Sequence, residues 1–420
     1  MSLEIHGGYI LNNELKFRRK STLAINGSMP VRKKPMPPRI AFGKNEVAHL
    51  MKAVNYYISR KEDPPYQGHF EKEFCNAFSE FMGGGYTDAV SSGTAAIYVA
   101  LAALELPKKS HVIISPVTDS ATLNCIIYQG FIPVLADSKP DSYNMGVEQF
   151  LDRITTNTKG VIAVHCAGEP LEIDEIADEA HKRDILVLED CSQATGATCK
   201  GKKVGTFGDI SAFSTMYRKN LTAGASSGLV YTQDLNLFRK ALGHADRGKQ
   251  SWRTDLDQND PGQSLFPALN FNTDEFSCAI GTSSLKRLPD TISKRVKFIS
   301  RLIELLNSKS KLCKPYAFHN RFSPFFYPIF MDINKIACSK IEFANAVKAE
   351  GIGLNPHYGC VVNSWKWAKP YFSDDFVTTN ALSTRDRSFN LFLNENYGEE
   401  EAQDIISAIL KVEKYYMKIL

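Results

Sequence analysis

The chain has 420 residues, of which 43% are hydrophobic and 23% are charged, and its formal net charge is +4. This length can hold a large core and two domains, and the composition is ordinary for a soluble globular protein. The charge is small for this length, and the basic runs Arg18–Lys20 and Arg32–Lys34 contain no interleaved aromatic residues. We therefore expect solvated surface at both runs and no nucleic-acid partner.

The nine cysteines are scattered singly, without a Cys-x-x-Cys pair, and the histidines are equally dispersed. This pattern predicts reduced thiols in a cytoplasmic protein and no metal site, because nothing has zinc-ligand spacing. No apolar run approaches the roughly 18 residues of a membrane helix, so we expect no membrane contact.

Residues 1–45 are polar and interrupted by proline and glycine, which predicts an N-terminal arm lying across a surface. Helical periodicity follows over 46–61 and 70–82, and Asp63–Gly68 separates these two helices.

From residue 90 to 232, short β-branched runs alternate with stretches of helical spacing such as Ile173–Arg183. This alternation predicts an α/β fold, with a doubly wound, mostly parallel sheet covered by helices on both faces. The predicted strands are Val112–Ser115, Pro133–Ala136, Gly160–Val164, Ile185–Glu189, Ile210–Ser214 and Gly228–Thr232.

The pattern of residues 235–290 predicts a loop-rich segment. The remainder predicts a helix over 291–307, a strand over 325–331, a helix over 341–350 and a terminal helix from Gly398. We therefore expect a large α/β domain over 46–290 and a smaller C-terminal α+β domain over 291–420.

An acid and an amine stand at neighbouring strand ends. Asp190 ends one apolar run, and Lys219 follows the run Ile210–Ser214. In parallel sheets, ligands bind at the carboxyl ends of the strands. Pyridoxal 5'-phosphate (PLP) needs an amine for its Schiff base and an acid against its ring nitrogen. The lysine would anchor the aldehyde and then move the proton, so the pair predicts a PLP site.

Small residues at Ser92–Ala96 open an apolar helix, so their backbone N–H groups are candidates for holding the cofactor phosphate. A simple N-cap by Ser92 or Thr94 is the alternative. Gln193 could reach the same ligand and Ser214 could reach its phosphate, although local turn or cap hydrogen bonds explain both equally well.

Four motifs occur in order, and together they resemble the DegT/DnrJ/StrS family of PLP-dependent sugar aminotransferases, a branch of the fold-type I (aspartate aminotransferase-like) enzymes. The resemblance spans about residues 40–415, and the opening segment Leu23–Arg32 resembles the subgroup that includes inosose (cyclitol) aminotransferases. The motifs are Ser92-Gly93-Thr94-Ala95-Ala96, Val164-His165-x-x-Gly168, Glu189-Asp190-Cys191-Ser192-Gln193-Ala194, and Gly208-Asp209-Ile210 followed by Phe213-Ser214 and Lys219-Asn220.

The resemblance implies Lys219 as the Schiff-base lysine and Asp190 on the pyridine nitrogen. It implies Gln193 at the 3'-oxygen and a phosphate held by Gly93, Thr94 and Ser214.

The resemblance also implies Asn270 as the residue that reaches the phosphate of the partner subunit, and hence a homodimer with shared active sites. His357 and Tyr358 resemble a pair near the substrate pocket, although a packed surface histidine is as good an interpretation of His357. We expect His165 to orient the strand ends without a catalytic role.

Three departures from the family pattern affect the prediction of the substrate more than the prediction of the cofactor. Asp119 stands where the family usually has an aromatic residue over the PLP face, so either another residue covers the ring or Asp119 meets a polar atom. The loop Gly224–Gly228 is one residue longer than usual and lacks a glutamate. Asn272 replaces a common arginine, which removes a cation often found near the substrate.

The sequence therefore predicts a PLP aminotransferase that moves an amino group from glutamate or glutamine to a keto group of a nucleotide-linked sugar, in surface polysaccharide or aminosugar biosynthesis. A cyclitol aminotransferase and a non-catalytic regulatory or binding protein of the same fold remain alternatives. Dehydratase relatives carry histidine at the lysine position, and position 219 is lysine. No Gly-x-Gly-x-x-Gly follows a predicted strand, so a nucleotide-binding Rossmann protein is set aside.

Overall fold

The computed structural model of the protein describes residues 22–418. Residues 1–21 of the predicted arm, with the basic run Arg18–Lys20, lie outside this range. None of the described helices combines the length and the apolar character needed to cross a bilayer.

Strands and helices alternate through the first half of the described chain. The strands are β1 (Tyr86–Val90), β2 (His111–Ile114), β3 (Ile132–Leu135), β4 (Thr158–Val164), β5 (Leu186–Asp190), β6 (Thr198–Cys199), β7 (Lys202–Lys203), β8 (Ile210–Ser214), β9 (Gly228–Thr232), β10 (Cys313–Pro315), β11 (Phe326–Met331), β12 (Leu354–Asn355) and β13 (Ser388–Phe392). The α-helices are α1 (Lys44–Arg60), α2 (His69–Met82), α3 (Gly93–Ala103), α4 (Ser120–Tyr128), α5 (Val147–Leu151), α6 (Ile173–His181), α7 (Leu235–Ala245), α8 (Glu275–Lys309), α9 (Lys340–Ala349), α10 (Thr379–Asp386) and α11 (Glu399–Tyr416).

The larger sheet has seven strands in the order β1-β9-β8-β5-β4-β2-β3. Neighbours from β8 to β3 run parallel, and β9 is antiparallel to both β8 and β1. Residues that alternate along a strand face opposite cores: Val112 and Ile114 pack with α3 and α4, whereas Ile113 packs with α6. The predicted α/β class with a mostly parallel sheet covered on both faces is confirmed.

The smaller sheet has four antiparallel strands in the order β10-β11-β13-β12. Its core also contains residues of α8, α9 and α11, and it includes fully buried Leu23 from the N-terminal segment. Arg32 of the same segment hydrogen-bonds Asp404 at 2.6 Å and lies 3.1 Å from a carboxylate oxygen of Glu401. The described part of the arm is therefore packed against the smaller sheet and its helices, and the expectation of solvated surface at Arg32–Lys34 is wrong for Arg32, which is buried in ion pairs.

Helices α7 and α8 lie where the sequence predicts a loop-rich region. Helix α8 begins at Glu275, where the Asp274 side chain accepts hydrogen bonds from the backbone of Phe276 and Ser277, and it continues through Pro289. A proline inside a helix lacks one N–H donor, and packing against α1, α2 and α11 keeps this helix continuous. The region predicted as loop-rich thus contains α7 and the first half of α8, and the proposed domain boundary at 290 lies inside a helix.

Candidate active site

Asp190 is held at the carboxyl end of β5. Its side chain is 4% exposed, and one carboxylate oxygen accepts a 3.1 Å hydrogen bond from the Thr122 hydroxyl. The other oxygen accepts a 3.1 Å hydrogen bond from the backbone N–H of Ser192. Two donors on separate elements fix the carboxylate, so it has one orientation towards the strand ends.

Lys219 lies on the loop after β8, which is the parallel neighbour of β5. Its Nζ lies 4.6 Å from the centre of the Phe325 ring. Burial lowers the pKa of this amine, and the carboxylates of Asp190 and Asp119 oppose that shift. A lowered pKa leaves more of the neutral, nucleophilic amine near neutral pH than an exposed lysine has.

The backbone around Lys219 is held from the N-terminal segment. The Arg39 guanidinium donates 2.7 Å hydrogen bonds to the carbonyl oxygens of Tyr217 and Lys219. Nε of Arg39 is buried and has no partner within residues 22–418. The two terminal nitrogens of the guanidinium thus both donate to the lysine loop.

A buried ion pair holds the other side of that loop. Asn220 donates from Nδ2 to Ser323 Oγ at 2.9 Å, and its Oδ1 accepts a hydrogen bond of 2.5 Å from Arg295. Arg295 in turn pairs with Glu395 at 3.0 Å, and both side chains are 2% exposed. Position 219 therefore depends on contacts from α8 and from the chain around the smaller sheet.

Helix α3 starts very close to the end of β8. A Cβ placed on Gly93 would lie 2.5 Å from Cβ of Ser214, so glycine is required for this approach. Ser92 caps the helix by accepting from Ala95 N–H at 3.0 Å, which confirms the N-cap interpretation for Ser92. Thr94 is exposed beside this cap. A helix N-terminus and the nearby Ser214 hydroxyl are a donor set suited to a phosphate.

Gln193 supports the strand-end loop. Its Oε1 accepts a 2.9 Å hydrogen bond from the N–H of Ala167, whose φ of 61° is left-handed. A Cβ on Gly168 would lie 2.0 Å from the carbonyl oxygen of Ser323. The motif glycine therefore permits the segment before β11 to pack against the end of β4, which brings Phe325 to Lys219.

The structure separates the two members of the pair His357 and Tyr358. Tyr358 packs 4.9 Å from Phe326 between ring centres, and a hydrogen bond links it to Gln193. His357 is exposed, with Nδ1 3.3 Å from Nζ of Lys340. Burial, Lys340 and Arg385 lower the pKa of His357. Tyr358 thus lies beside Phe326 and Gln193, whereas His357 lies beside Lys340.

Asp119 and Asn270 are both exposed. Asp119 caps α4 by accepting from Ala121 N–H at 3.0 Å, and it is close enough to affect the pKa of Lys219. Asn270 forms a local turn in which its Oδ1 accepts from the side chain of Asn272 at 2.8 Å. Its predicted contact with a partner subunit stays a prediction.

His165, Glu189 and Cys191 form a buried group with metal-ligand atoms close together. His165 Nε2 lies 3.1 Å from Glu189, and its Nδ1 accepts from Leu171 N–H at 3.0 Å. Glu189 also accepts from the backbone N–H groups of Gly205, Phe207 and Gly208. The imidazole nitrogens of His165 and the carboxylate of Glu189 are thus occupied by hydrogen bonds, which supports the expectation that His165 orients strand ends.

Sequence reasoning missed Thr122, Arg39 and Phe325. Thr122 lies 68 positions from Asp190, and Arg39 lies 180 positions from Lys219. No local spacing in the sequence indicates such contacts. The one available signal is that Thr122 follows the helix cap Asp119 by three residues, which places it in the first turn of a helix.

The arrangement fits PLP in three respects. A fixed, buried carboxylate suits a protonated pyridine nitrogen, and an amine with a lowered pKa suits attachment of an aldehyde. Gly93, Ser214 and the start of α3 offer donors for a phosphate at the end of β8.

Comparison with known proteins agrees with this geometry. Residues 53–410 match the DegT/DnrJ/EryC1/StrS aminotransferase family. The chain is 29% identical over 381 residues to the spore coat polysaccharide biosynthesis protein SpsC of Bacillus subtilis, covering 89% of this chain and 95% of that protein. It is 34% identical over 233 residues to GDP-perosamine synthase of Escherichia coli O157:H7, covering 54% of this chain and 61% of that enzyme.

Solved structures share the fold. Helicobacter pylori PseC, an aminotransferase involved in the biosynthesis of pseudaminic acid, superposes with a TM-score of 0.81 at 22% identity. The match covers 91% of this chain and 100% of that chain. The aminotransferase from Psychrobacter cryohalolentis gives a TM-score of 0.82 at 24% identity, covering 89% of this chain and 98% of that chain.

Proposed function

This chain belongs to the DegT/DnrJ/EryC1/StrS aminotransferase family, and from that membership we propose that it moves an amino group from glutamate or glutamine to the keto group of a nucleotide-linked sugar. The observation that carries the proposal is the placement of Asp190 and Lys219 at the ends of two neighbouring parallel strands. The amine and the acid that a PLP transaminase requires are thereby brought to one edge of the sheet.

Pyridoxal 5'-phosphate is the cofactor; when bound, it supplies an aldehyde that takes up the amino group and a ring that withdraws electrons from the substrate carbon. Asp190 holds the proton on the ring nitrogen, and Thr122 and Ser192 keep its carboxylate in place. Gly93, Thr94 and Ser214 hold the phosphate. Gln193 serves the 3'-oxygen through its side-chain amide, while its Oε1 is engaged by Ala167.

Lys219 is the residue that would take up and return the proton of the substrate carbon. A general base works best when its pKa lies near the working pH, and burial lowers the pKa of this amine in that direction. Hydrogen bonds from Arg39 to the loop carbonyls fix the position from which Nζ acts. Phe325 lies against Nζ and excludes water from one side of the amine.

The names of the relatives support the substrate class. One is a GDP-perosamine synthase and another is a spore coat polysaccharide biosynthesis protein, so we place this chain in surface polysaccharide or aminosugar biosynthesis. The free cysteines of the described chain, most of them buried, support a cytoplasmic location.

A homodimer with shared active sites is part of the proposal. Asn270 is exposed in the single chain, and Tyr66 beside it is 52% exposed, with its hydroxyl 3.4 Å from Asn270 Nδ2. A second copy that covers this edge would bring the Asn270 amide to the phosphate of the partner's cofactor.

The test is product formation by the PLP-loaded protein. Incubation with amine-labelled glutamate or glutamine and a panel of nucleotide-linked keto sugars should transfer the label to the sugar, as detected by mass spectrometry. A cyclitol ketone in the same panel tests the cyclitol alternative. If the protein binds PLP but transfers no label from either donor to any ketone, the proposed function would be contradicted. The alternative of a non-catalytic regulatory or binding protein would then be favoured.

A further inference from the structure

Asp119 lies beside the reactive amine on a fixed stretch of backbone. Burial lowers the pKa of the Lys219 amine, and the Asp119 carboxylate is among the groups that oppose this shift. Asp119 also caps α4, and Thr122 in the first turn of that helix donates to Asp190 at 3.1 Å. The Thr118 hydroxyl lies 2.8 Å from that of Thr122. The backbone on both sides of Asp119 is therefore tied to the residues that serve the cofactor.

The loop that carries Tyr358 packs against the same segment. The backbone N–H of Thr118 donates to the carbonyl oxygen of Cys360 at 3.0 Å, which fixes the loop next to Asp119. Burial raises the pKa of the Cys360 thiol, and both Asp119 and Lys219 lie close enough to affect it. The carboxylate therefore stands where this loop, the cap of α4 and the lysine meet.

One oxygen of the Asp119 carboxylate is free. Its Oδ1 accepts the 3.0 Å hydrogen bond from Ala121 that caps α4, whereas Oδ2 has no hydrogen bond or ion pair within residues 22–418. The side chain is exposed, so this oxygen is accessible to a ligand. Lys219 is the cation beside it, and its amine is the attachment point of the cofactor. In the loaded enzyme, the partner of this oxygen must therefore come from the substrate.

The charge of Asp119 decides which groups can meet it. An ionised aspartate accepts hydrogen bonds and donates none. A sugar or cyclitol ring carries hydroxyl groups on the carbons around its ketone, and each hydroxyl is a donor for such an oxygen. A carboxylate on the same ring would instead meet a like charge at short range, where a partly buried site screens it less than water does. Repulsion of this kind selects between otherwise similar ligands.

We propose that Asp119 is a specificity-determining residue, whose free oxygen accepts a hydroxyl of the keto substrate and whose charge excludes rings that carry a carboxylate. This inference rests on the proposed function, and it narrows the substrate class to neutral, hydroxylated keto sugars and away from keto uronic acids.

The test compares two ketones that differ in one group. UDP-N-acetyl-3-dehydroglucosamine has a hydroxymethyl group where the corresponding uronic acid has a carboxylate. The PLP-loaded protein aminates each ketone from labelled glutamate or glutamine, and the ratio of the two kcat/KM values measures the selectivity. Any effect of Asp119 on Lys219 or on the cofactor is common to both ketones, so it cancels in this ratio.

The variants separate charge from hydrogen bonding. Asp119→Asn keeps the cap and an acceptor oxygen but removes the charge, whereas Asp119→Ser keeps a capping oxygen and loses both the charge and the reach. The matched control is Asp234→Asn, because Asp234 is an exposed aspartate that caps α7 by accepting from Leu237 at 2.7 Å.

We expect the wild type to prefer the neutral ketone about tenfold or more, and Asp119→Asn to reduce this preference about tenfold, chiefly by accepting the uronic acid better. In Asp119→Ser, kcat/KM for the neutral ketone should fall about tenfold below its value in Asp119→Asn, as for a lost hydrogen bond to a substrate hydroxyl. The control should match the wild type.

Equal ratios in the wild type and Asp119→Asn, or a wild type that prefers the uronic acid, would overturn the assignment. Amination of neither ketone would overturn it too, because the substrate class would be wrong. Conversion of the cofactor to its amine form by the donor distinguishes the two failures: if it occurs without amination of either ketone, only the inference about Asp119 fails. If the donor leaves the cofactor unchanged and no ketone is aminated, the proposed function fails as well.

Discussion

The guanidinium of Arg39 donates a 2.7 Å hydrogen bond to the backbone carbonyl of Lys219, although 180 residues separate them. A second 2.7 Å bond to Tyr217 makes the contact a two-point clamp. Arg39 does not touch the reacting atoms in this arrangement, so it is a positioning residue. The N-terminal segment is thus part of the support for the catalytic loop.

Replacing Arg39 with lysine should lower kcat about tenfold with little change in KM, because a single ammonium cannot span both carbonyls and small misplacements of reacting groups are costly. The absorbance of the bound cofactor should also titrate at a shifted pH, which a merely structural role would not cause. Arg301→Lys is the matched control, because Arg301 makes a two-point contact with Glu399 and has no hydrogen bond to the lysine loop. Equal kinetics and equal pH titration in Arg39→Lys and the wild type would rule out the clamp.

Asp190→Asn should keep the shape of the site and remove its charge. The amide oxygen can still accept from the Ser192 N–H, and the Thr122 hydroxyl can accept from the amide NH2 group instead of donating to it. Without the carboxylate, Asp190 would no longer hold a proton on the ring nitrogen, and we expect kcat to fall by about 100-fold or more, as when one preorganised electrostatic partner is removed. Single-turnover kinetics with glutamate measure this loss, and a fall of less than about threefold would argue against the role of Asp190.

The rate at which the cofactor-free protein captures PLP should depend on the neutral form of Lys219. Because burial lowers the pKa of this amine below the ordinary lysine value of 10.5, the rate should rise with pH and level off before that value. Asp119 raises the pKa, so Asp119→Asn should move the profile to lower pH. Asn can still cap α4.

Asp255→Asn serves as the control for that profile, because Asp255 is exposed and pairs with Arg253. The rate of growth of the cofactor absorbance band, followed at a series of pH values, gives the profile. A rate that still climbs beyond the ordinary lysine value, or no shift in Asp119→Asn, would contradict the account of Lys219.

Gly93→Ala should weaken PLP binding. The new Cβ would lie 2.5 Å from Cβ of Ser214, so the start of α3 must move away from the end of β8. We expect the Kd for PLP to rise about tenfold or more through loss of phosphate contacts, whereas Gly398→Ala, where the new Cβ has only an ordinary contact, should leave it unchanged. Equilibrium titration followed by absorbance measures both, and equal affinities would exclude this phosphate site.

The elements that position the site could be predicted because their signals are local. The predicted strands ending near Val164, Glu189 and Ser214 correspond to β4, β5 and β8, since short β-branched runs between helices have few other structures open to them. The glycines of the motifs are visible in the sequence. The reason that glycine is needed at Gly93 and Gly168 follows only from the close backbone approaches in the folded chain.

Tertiary contacts explain what the sequence did not reveal. β1 was missed because Asp88 interrupts its apolar pattern, yet pairing with β9 buries it. The start of α8 was placed too late because Pro289 resembles a helix boundary. Arg39 has no motif, and its importance comes from partners that only the folded chain defines.

The most direct test is the absorbance spectrum of the PLP-loaded protein before and after addition of L-glutamate or L-glutamine, beside Lys219→Ala. We expect a band of lysine-bound cofactor that converts to the amine form when the donor is added, and that is absent in the variant. A band that neither donor changes, or the same band in Lys219→Ala, would contradict the assignment of Lys219 as the catalytic amine of an aminotransferase.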